Sequence, residues 1–176
     1  MEGAKLVSDI INNKKPKKVL DLGAQRGYFS ILAASYGAEV DAVDHFGPSK
    51  SNFPEYLKGH PNISFHQCDI KDFKIKKNYD LVIVKHVIMF MEKDRTIGNL
   101  LPQIYDNLTR GGVTFLTYYL PHSYLMKNDE TLTKYEINDF KNTGKNFILK
   151  DFGRYENPVK EIRNETHYIG YIVLQK

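Results

Sequence analysis

From Tyr79 to Val84 the chain reads YDLVIV, six residues carrying a single charge. A strand that turns apolar side chains to both of its faces must be covered on both, the condition of a central strand in a parallel sheet flanked by helices. The rest of the sequence supplies that setting. Lys17 to Leu22 (KKVLDL), Ala38 to Val43, Ile63 to Gln67 and Val113 to Tyr118 read as further strands. Helical spacing falls between and before them: Ala4 to Ile11, with Leu6, Val7, Ile10 and Ile11 on one face; Gly27 to Tyr36, stopped by Gly37; and Asp94 to Leu108, kinked at Pro102 and ended by Gly111-Gly112. A turn-rich stretch with Gly47, Pro48 and Pro54 leads into a short helix at Glu55 to Lys58. After a helix around Lys134 to Lys141, the strands Asn146 to Tyr155 and His167 to Leu174 have no helix between them and read as a hairpin. The expected fold is therefore α/β: a doubly wound, mostly parallel, seven-stranded sheet with an antiparallel C-terminal hairpin.

A chain of 176 residues suffices for one core, so residues 1–176 are read as a single domain with a single site. There is no apolar run of membrane-spanning length, and MEGAKLVSDIINNKK lacks the continuous apolar core of a signal peptide, which predicts a cytoplasmic protein with no membrane partner. Cys68 stands alone, excluding an internal disulfide and a multi-cysteine metal site; no metal is expected. The net charge is +4, and its lysines cluster in KKPKK (14–18) and KIKK (74–77). Such groups are ordinarily solvated surface, and a basic footprint alone gives only long-range attraction, so nucleic acid is not favoured as a partner.

In a sheet of this kind ligands bind beyond the carboxyl ends of the strands. The first such loop is Asp21-Leu22-Gly23-Ala24-Gln25-Arg26-Gly27. No Gly-Lys-Ser/Thr closes it, so it is not a P-loop, and it lacks the middle glycine that lets a pyrophosphate reach the helix N-terminus. Asp44 ends the second strand in EVDAVDHF, where a carboxylate can accept both ribose hydroxyls and would repel a 2′-phosphate. Asp69 ends the third in FHQCDIKDF. Each aspartate singly is a common turn or cap residue. Three of them after three successive strands suit a cationic cofactor without phosphate.

The pattern acid-x-Gly-x-x-x-Gly, carried by Asp21, Gly23 and Gly27, resembles motif I of the class I S-adenosylmethionine-dependent methyltransferases, with Gln25 where the commoner form has glycine. The resemblance runs from Lys17 to Tyr118 and includes the terminal hairpin. It implies a Rossmann-like methyltransferase fold and S-adenosylmethionine as cofactor. By the same resemblance Asp21 acts on the ammonium group, Gly23 lets the methionyl part and ribose pass close, Asp44 takes the ribose hydroxyls, and Asp69 takes the adenine amino group with a backbone donor from Ile70. The implied cofactor shell comprises Asp21, Gly23, Ala24, Gln25, Gly27, Asp44, His45, Asp69, Ile70, Lys85 and His86.

Lys85 and His86, after strand four, are the candidate catalytic residues: an ordinary imidazole titrates near neutrality and can take an acceptor's proton, while the alternative is a His86 that packs on the methionyl end or hydrogen-bonds structurally. Tyr118, Tyr119 and His122 follow strand five, and Pro121 to Thr143 is the expected acceptor cover. VIVKHVIMFME lacks the Asn/Asp-Pro-Pro-aromatic tetrad of exocyclic-amine methyltransferases, and no cysteine is placed to attack a pyrimidine ring. VIMFME is similar to a segment of the tellurite-resistance-type branch, which implies a small-molecule acceptor. The alternatives are an RNA or protein methyltransferase working with a partner, a cofactor-binding accessory module without catalysis, and a nicotinamide-dependent reductase, the last lacking its middle glycine. A monomer and a homodimer both remain open.

Overall fold

The computed structural model describes residues 2–45, 59–143, 145–159 and 165–176. Helix α1 (Glu2–Lys14) buries Gly3, Val7 and Ile11 on one stripe. Strand β1 (Lys18–Leu22) follows, then α2 (Tyr28–Ser35), β2 (Glu39–Asp44), β3 (Ile63–Gln67) and β4 (Tyr79–Val84). Beyond β4 lie α3 (Lys93–Arg95), α4 (Leu101–Asp106), β5 (Leu108–Tyr119), α5 (Tyr124–Asn128), β6 (Ile148–Pro158) and β7 (Thr166–Gln175). Among the described residues the strands form one seven-stranded sheet in the order β3-β2-β1-β4-β5-β7-β6. β1 to β5 pair in parallel, while β7 runs antiparallel to both β5 and β6. The expected doubly wound sheet with its antiparallel hairpin is what the chain forms.

Period-two alternation assigns side chains to the two layers. In β4, Leu81 and Ile83 face α1 and α2 along with Val7, Ile11, Val19, Ala33 and Phe115. Val82 and Val84 face the other way, onto Leu100, Leu101, Ile104 and Leu116. All four β4 side chains are fully buried, as YDLVIV requires. A charged residue enters the middle of the sheet. Asp41 of β2 accepts from Tyr79 Oη at 2.9 Å, Lys77 Nζ at 2.9 Å and His66 Nε2 at 2.7 Å. Burial alone would raise its pKa, but those bonds prevail and hold it below the usual carboxylate range.

Four expectations are corrected. The expected helix Asp94 to Leu108 is α3, a π-helical turn at Thr96–Leu100, and α4. Pro102 falls in the first turn of α4, where a missing amide is tolerated, and the widened turn precedes it. Gly111-Gly112 does not end a helix; it lies inside β5, which begins at Leu108 because Tyr79 N bonds Asn107 O at 2.8 Å and starts the pairing early, with a register shift between Tyr79 and Leu81. The helix expected at Lys134 to Lys141 is a 3-10 helix, Ile137–Asn142, started by reciprocal side-chain caps between Glu136 and Asp139. Helix α5 was not expected. The stretch with Gly47, Pro48 and Pro54 and the helix at Glu55 to Lys58 lie outside the described residues.

Candidate functional site

From β1 the chain passes by α2 to β2 on one side, and the other neighbour of β1 is β4. The strand order reverses between β1 and β4, so the loops after these two strands splay apart above the sheet and open a crevice. A cavity of about 650 Å³ occupies it. Asp21, Gly23, Ala24, Gln25 and Arg26 form one wall, Lys85 and His86 another, and Ala4, Lys5 and Ser8 of α1 reach over from the side.

The glycine loop turns sharply. Gly23 sits at φ +78°, where a side chain is strained, and a Cβ there would run into Cγ2 of Val87 from the facing loop. Gln25 takes a left-handed φ of 45° without being glycine. In exchange its amide donates to Asp44 Oδ2 at 2.9 Å, which fixes the Asp44 carboxylate against the loop. His45 Nδ1 stands 3.6 Å from Asp44 Oδ1. Gly27 is the N-cap of α2. Asp21 is buried below the loop and accepts from Ser30 Oγ at 2.7 Å. Desolvation by burial raises its pKa to about 6 against the opposing Ser30 hydrogen bonds, with the Asp44 charge adding to the rise.

Across the cavity, burial lowers the pKa of Lys85, and Asp21 partly opposes this. His86 is held in the left-handed region, φ 56°, by its own amide, which donates to Thr117 Oγ1 at 2.9 Å. Its ring is pinned too, with Nδ1 3.5 Å from Lys85 Nζ, Nε2 3.4 Å from Tyr155 Oη, and the Tyr119 ring centroid 5.2 Å away. Burial first, then the Lys85 charge and His167, push its pKa down to about 3. A ring so perturbed is neutral near pH 7 and a weaker base than an ordinary imidazole.

The structure does not bring every expected residue to the cavity wall. Asp69 is exposed and its Oδ1 accepts the Lys71 amide at 2.8 Å, the aspartate turn that each acid singly suggests. Ile70 lies beside Gly23, its Cδ1 3.9 Å from where a Cβ would stand. Tyr118 is buried against Phe140, and His122 lies tilted against Tyr168, 4.5 Å between centroids. The segment from Pro121 to Thr143 covers the turn after β4, where Tyr135 Oη lies 3.1 Å from each of Ile88 O and Met91 O and 2.8 Å from Thr96 Oγ1. Sequence reasoning missed the α1 residues, Tyr28, Phe29, Thr117 and Tyr155. A serine nine positions after Asp21 is the one local signal available; the others depend on how α1 and β6 pack.

The model of the tellurite resistance protein TehB family matches residues 4–142. The chain belongs to the TehB family. A curated TehB-family relative, a probable S-adenosyl-L-methionine-dependent methyltransferase of Haemophilus influenzae, is 29% identical over 117 residues, 66% of this chain and 38% of the relative. The chain thus spans well under half the length of that TehB. The crystal structure of TehB from Haemophilus influenzae superposes with a TM-score of 0.78 at 20% identity, covering 98% of this chain and 62% of the other. A Burkholderia thailandensis 1,6-didemethyltoxoflavin N1-methyltransferase, solved with its acceptor and S-adenosylhomocysteine, superposes with a TM-score of 0.72 at 18% identity over 98% and 77% of the two chains. These likenesses show the Rossmann-like methyltransferase fold in this TehB-family chain.

Proposed function

We propose that the chain, acting as one domain in the cytoplasm, is an S-adenosylmethionine-dependent methyltransferase with a small-molecule acceptor. The observation that carries this is the buried, ionisable Asp21 behind a loop without a phosphate cradle, at the switch point of a methyltransferase sheet. A crevice with the Asp21 carboxylate in its wall and Asp44 held against its loop fits a ligand whose polar end is an ammonium and whose sugar bears no phosphate. Asp21 would take the ammonium, Gly23 and Ala24 would admit the methionyl chain, and Asp44 with His45 would hold the ribose. Gln25 and Gly27 set the loop's path, while Asp69 and Ile70 would bound the adenine end. When bound, the cofactor supplies a methyl group activated on a sulfonium.

The neutral His86 then packs at the methionyl end, with Lys85 beside it, and excludes water from that corner. Because reactant alignment alone can provide a large share of the rate, roughly 7–11 kcal/mol of barrier, the site does not depend on a base. The small-molecule reading is supported by the toxoflavin methyltransferase, whose acceptor is of that class. Calorimetric titration with S-adenosylmethionine and, separately, NADH is the test. Micromolar binding of the first alone is expected; binding of NADH alone, or of neither, would overturn the reading.

A further inference from the structure

The two lysine groups that are far apart in sequence meet at one end of the sheet. α1 descends from the crevice and ends at Lys14, so Lys15, Lys17 and Lys18 lie where β1 begins. Lys76 precedes β4, Arg110 lies near the start of β5, and Lys176 follows β7, which runs the opposite way and so finishes at this same end. Because β1, β4, β5 and β7 are consecutive neighbours, these cations form a row advancing by about 4.8 Å per strand. All but the half-buried Lys176 are exposed. Glu39 is exposed at this end, in register with Lys18, while the other two acids here are engaged. Asp80 Oδ2 accepts the amides of Lys17 and Lys18 at 2.9 and 3.1 Å and Oδ1 accepts from Thr109, while Asp106 is paired with Lys145 at 2.7 Å. The buried carboxylates Asp21 and Asp44 stand at the opposite end of the strands.

Aromatic rings are set among these cations. Tyr36, at the foot of α2, is 46% exposed, and the Glu39 amide just beyond it bonds Lys17 O at 2.8 Å. Tyr105 lies under both Lys176 and Lys145, with ammonium-to-centroid distances of 5.2 and 5.8 Å. We propose that this face, opposite the crevice, binds the phosphate backbone of single-stranded nucleic acid without reading its sequence. A row of cations can neutralise successive phosphates, and the exposed Tyr36 ring can take base stacking. A bilayer finds less to hold: Ile148 stands at the corner, and the exposed Leu149 and Phe152 climb β6 away from the face. The nucleic acid here is a docking partner held away from the crevice, not the methyl acceptor.

Fluorescence anisotropy of a labelled oligouridine, titrated with the whole chain at about 50 and about 200 mM salt, tests this. Binding that weakens steeply with salt is expected. The combined variant Lys17→Gln/Lys18→Gln/Lys76→Gln should lose at least tenfold in affinity, its log–log salt slope shrinking by about 2, near 0.7 for each lost phosphate contact. Tyr36→Ala should lose about fivefold or more if a base stacks there. Circular dichroism and S-adenosylmethionine affinity, both expected to match the parent protein, show that the variants fold. No binding at the lower salt, full retention in either variant, or capture by phosphatidylglycerol vesicles in place of RNA would overturn the proposal.

Discussion

Asp21 offers the sharpest quantitative test. Asp21 is 2% exposed and its pKa stands at about 6, against an ordinary value of 3.8. Between these two values the unfolded chain has released the proton while the folded protein still holds it, so the folded state binds more protons and stability falls as pH rises. At about 1.4 kcal/mol per pKa unit, the full difference is about 3 kcal/mol, developed between about pH 4 and pH 6 and constant above. Asp21→Asn keeps an acceptor for Ser30 and removes the titration. Urea unfolding of parent and variant across this range should show the variant gaining on the parent through pH 4 to 6, with a plateau of up to about 3 kcal/mol near pH 7.5. The subtraction cancels acid effects from Asp41 and other carboxylates. In the other direction, if the ionised carboxylate holds the cofactor's ammonium, only about one molecule in eleven is competent at pH 5, and affinity should drop about tenfold from pH 7. The asparagine variant should bind poorly at both. A stability difference independent of pH, or an asparagine variant uniformly weaker at pH 7.5, would refute the reasoning.

Three further outcomes are expected. Asp44→Ala should weaken S-adenosylmethionine binding more than tenfold by calorimetry, and an unchanged dissociation constant would remove Asp44 from the ribose. Gly23→Ala adds a Cβ at φ +78° against Val87 and should destabilise by about 1–3 kcal/mol in urea; Val87→Ala in the same chain should recover the clash but not the backbone strain, so full recovery would show that φ does not matter. Tyr79→Phe removes a donor from the buried Asp41 and should destabilise by about 1–3 kcal/mol near pH 7. Because the folded pKa of Asp41 is depressed, its contribution is present above the unfolded carboxylate value and lost as pH falls through the folded one. The penalty of Tyr79→Phe should therefore shrink in acid, as thermal melts down to about pH 3 would register.

What could be read from the sequence is what periodicity and strand ends encode. YDLVIV, KKVLDL and HYIGYIVL contain their own burial pattern, so the sheet and its reversed last strand follow from them. Asp21, Gly23 and Asp44 sit at strand ends whose position the sheet dictates, and they come together around a loop whose Gln25 amide donates to Asp44. Local signals failed where tertiary pairing prevailed. Gly111-Gly112 looks like a helix stop, yet the Asn107 carbonyl had already entered the sheet, and the glycines became an irregularity within β5. The same applies to Lys134 to Lys141, whose helical spacing was satisfied by a tighter helix once Tyr135 was drawn into the core beneath it.

His86 shows why chemistry is harder to read than fold. A histidine after a central strand carries the same letter whether it is a solvated base or a packed neutral ring, and the difference lies in what the fold brings to it. Here β5 supplies Thr117 to its amide and Tyr119 to its ring face, β6 supplies Tyr155 to Nε2, and the preceding residue sets a buried ammonium at Nδ1. Three of these four neighbours are distant in sequence, and the backbone conformation they stabilise is one that a non-glycine residue rarely adopts. Strain of this kind persists only where the surroundings over-determine it. The residue that a catalytic reading of the sequence singled out is thus over-determined as structure, and on the proposed function the site would work by aligning its ligands more than by a proton that His86 takes.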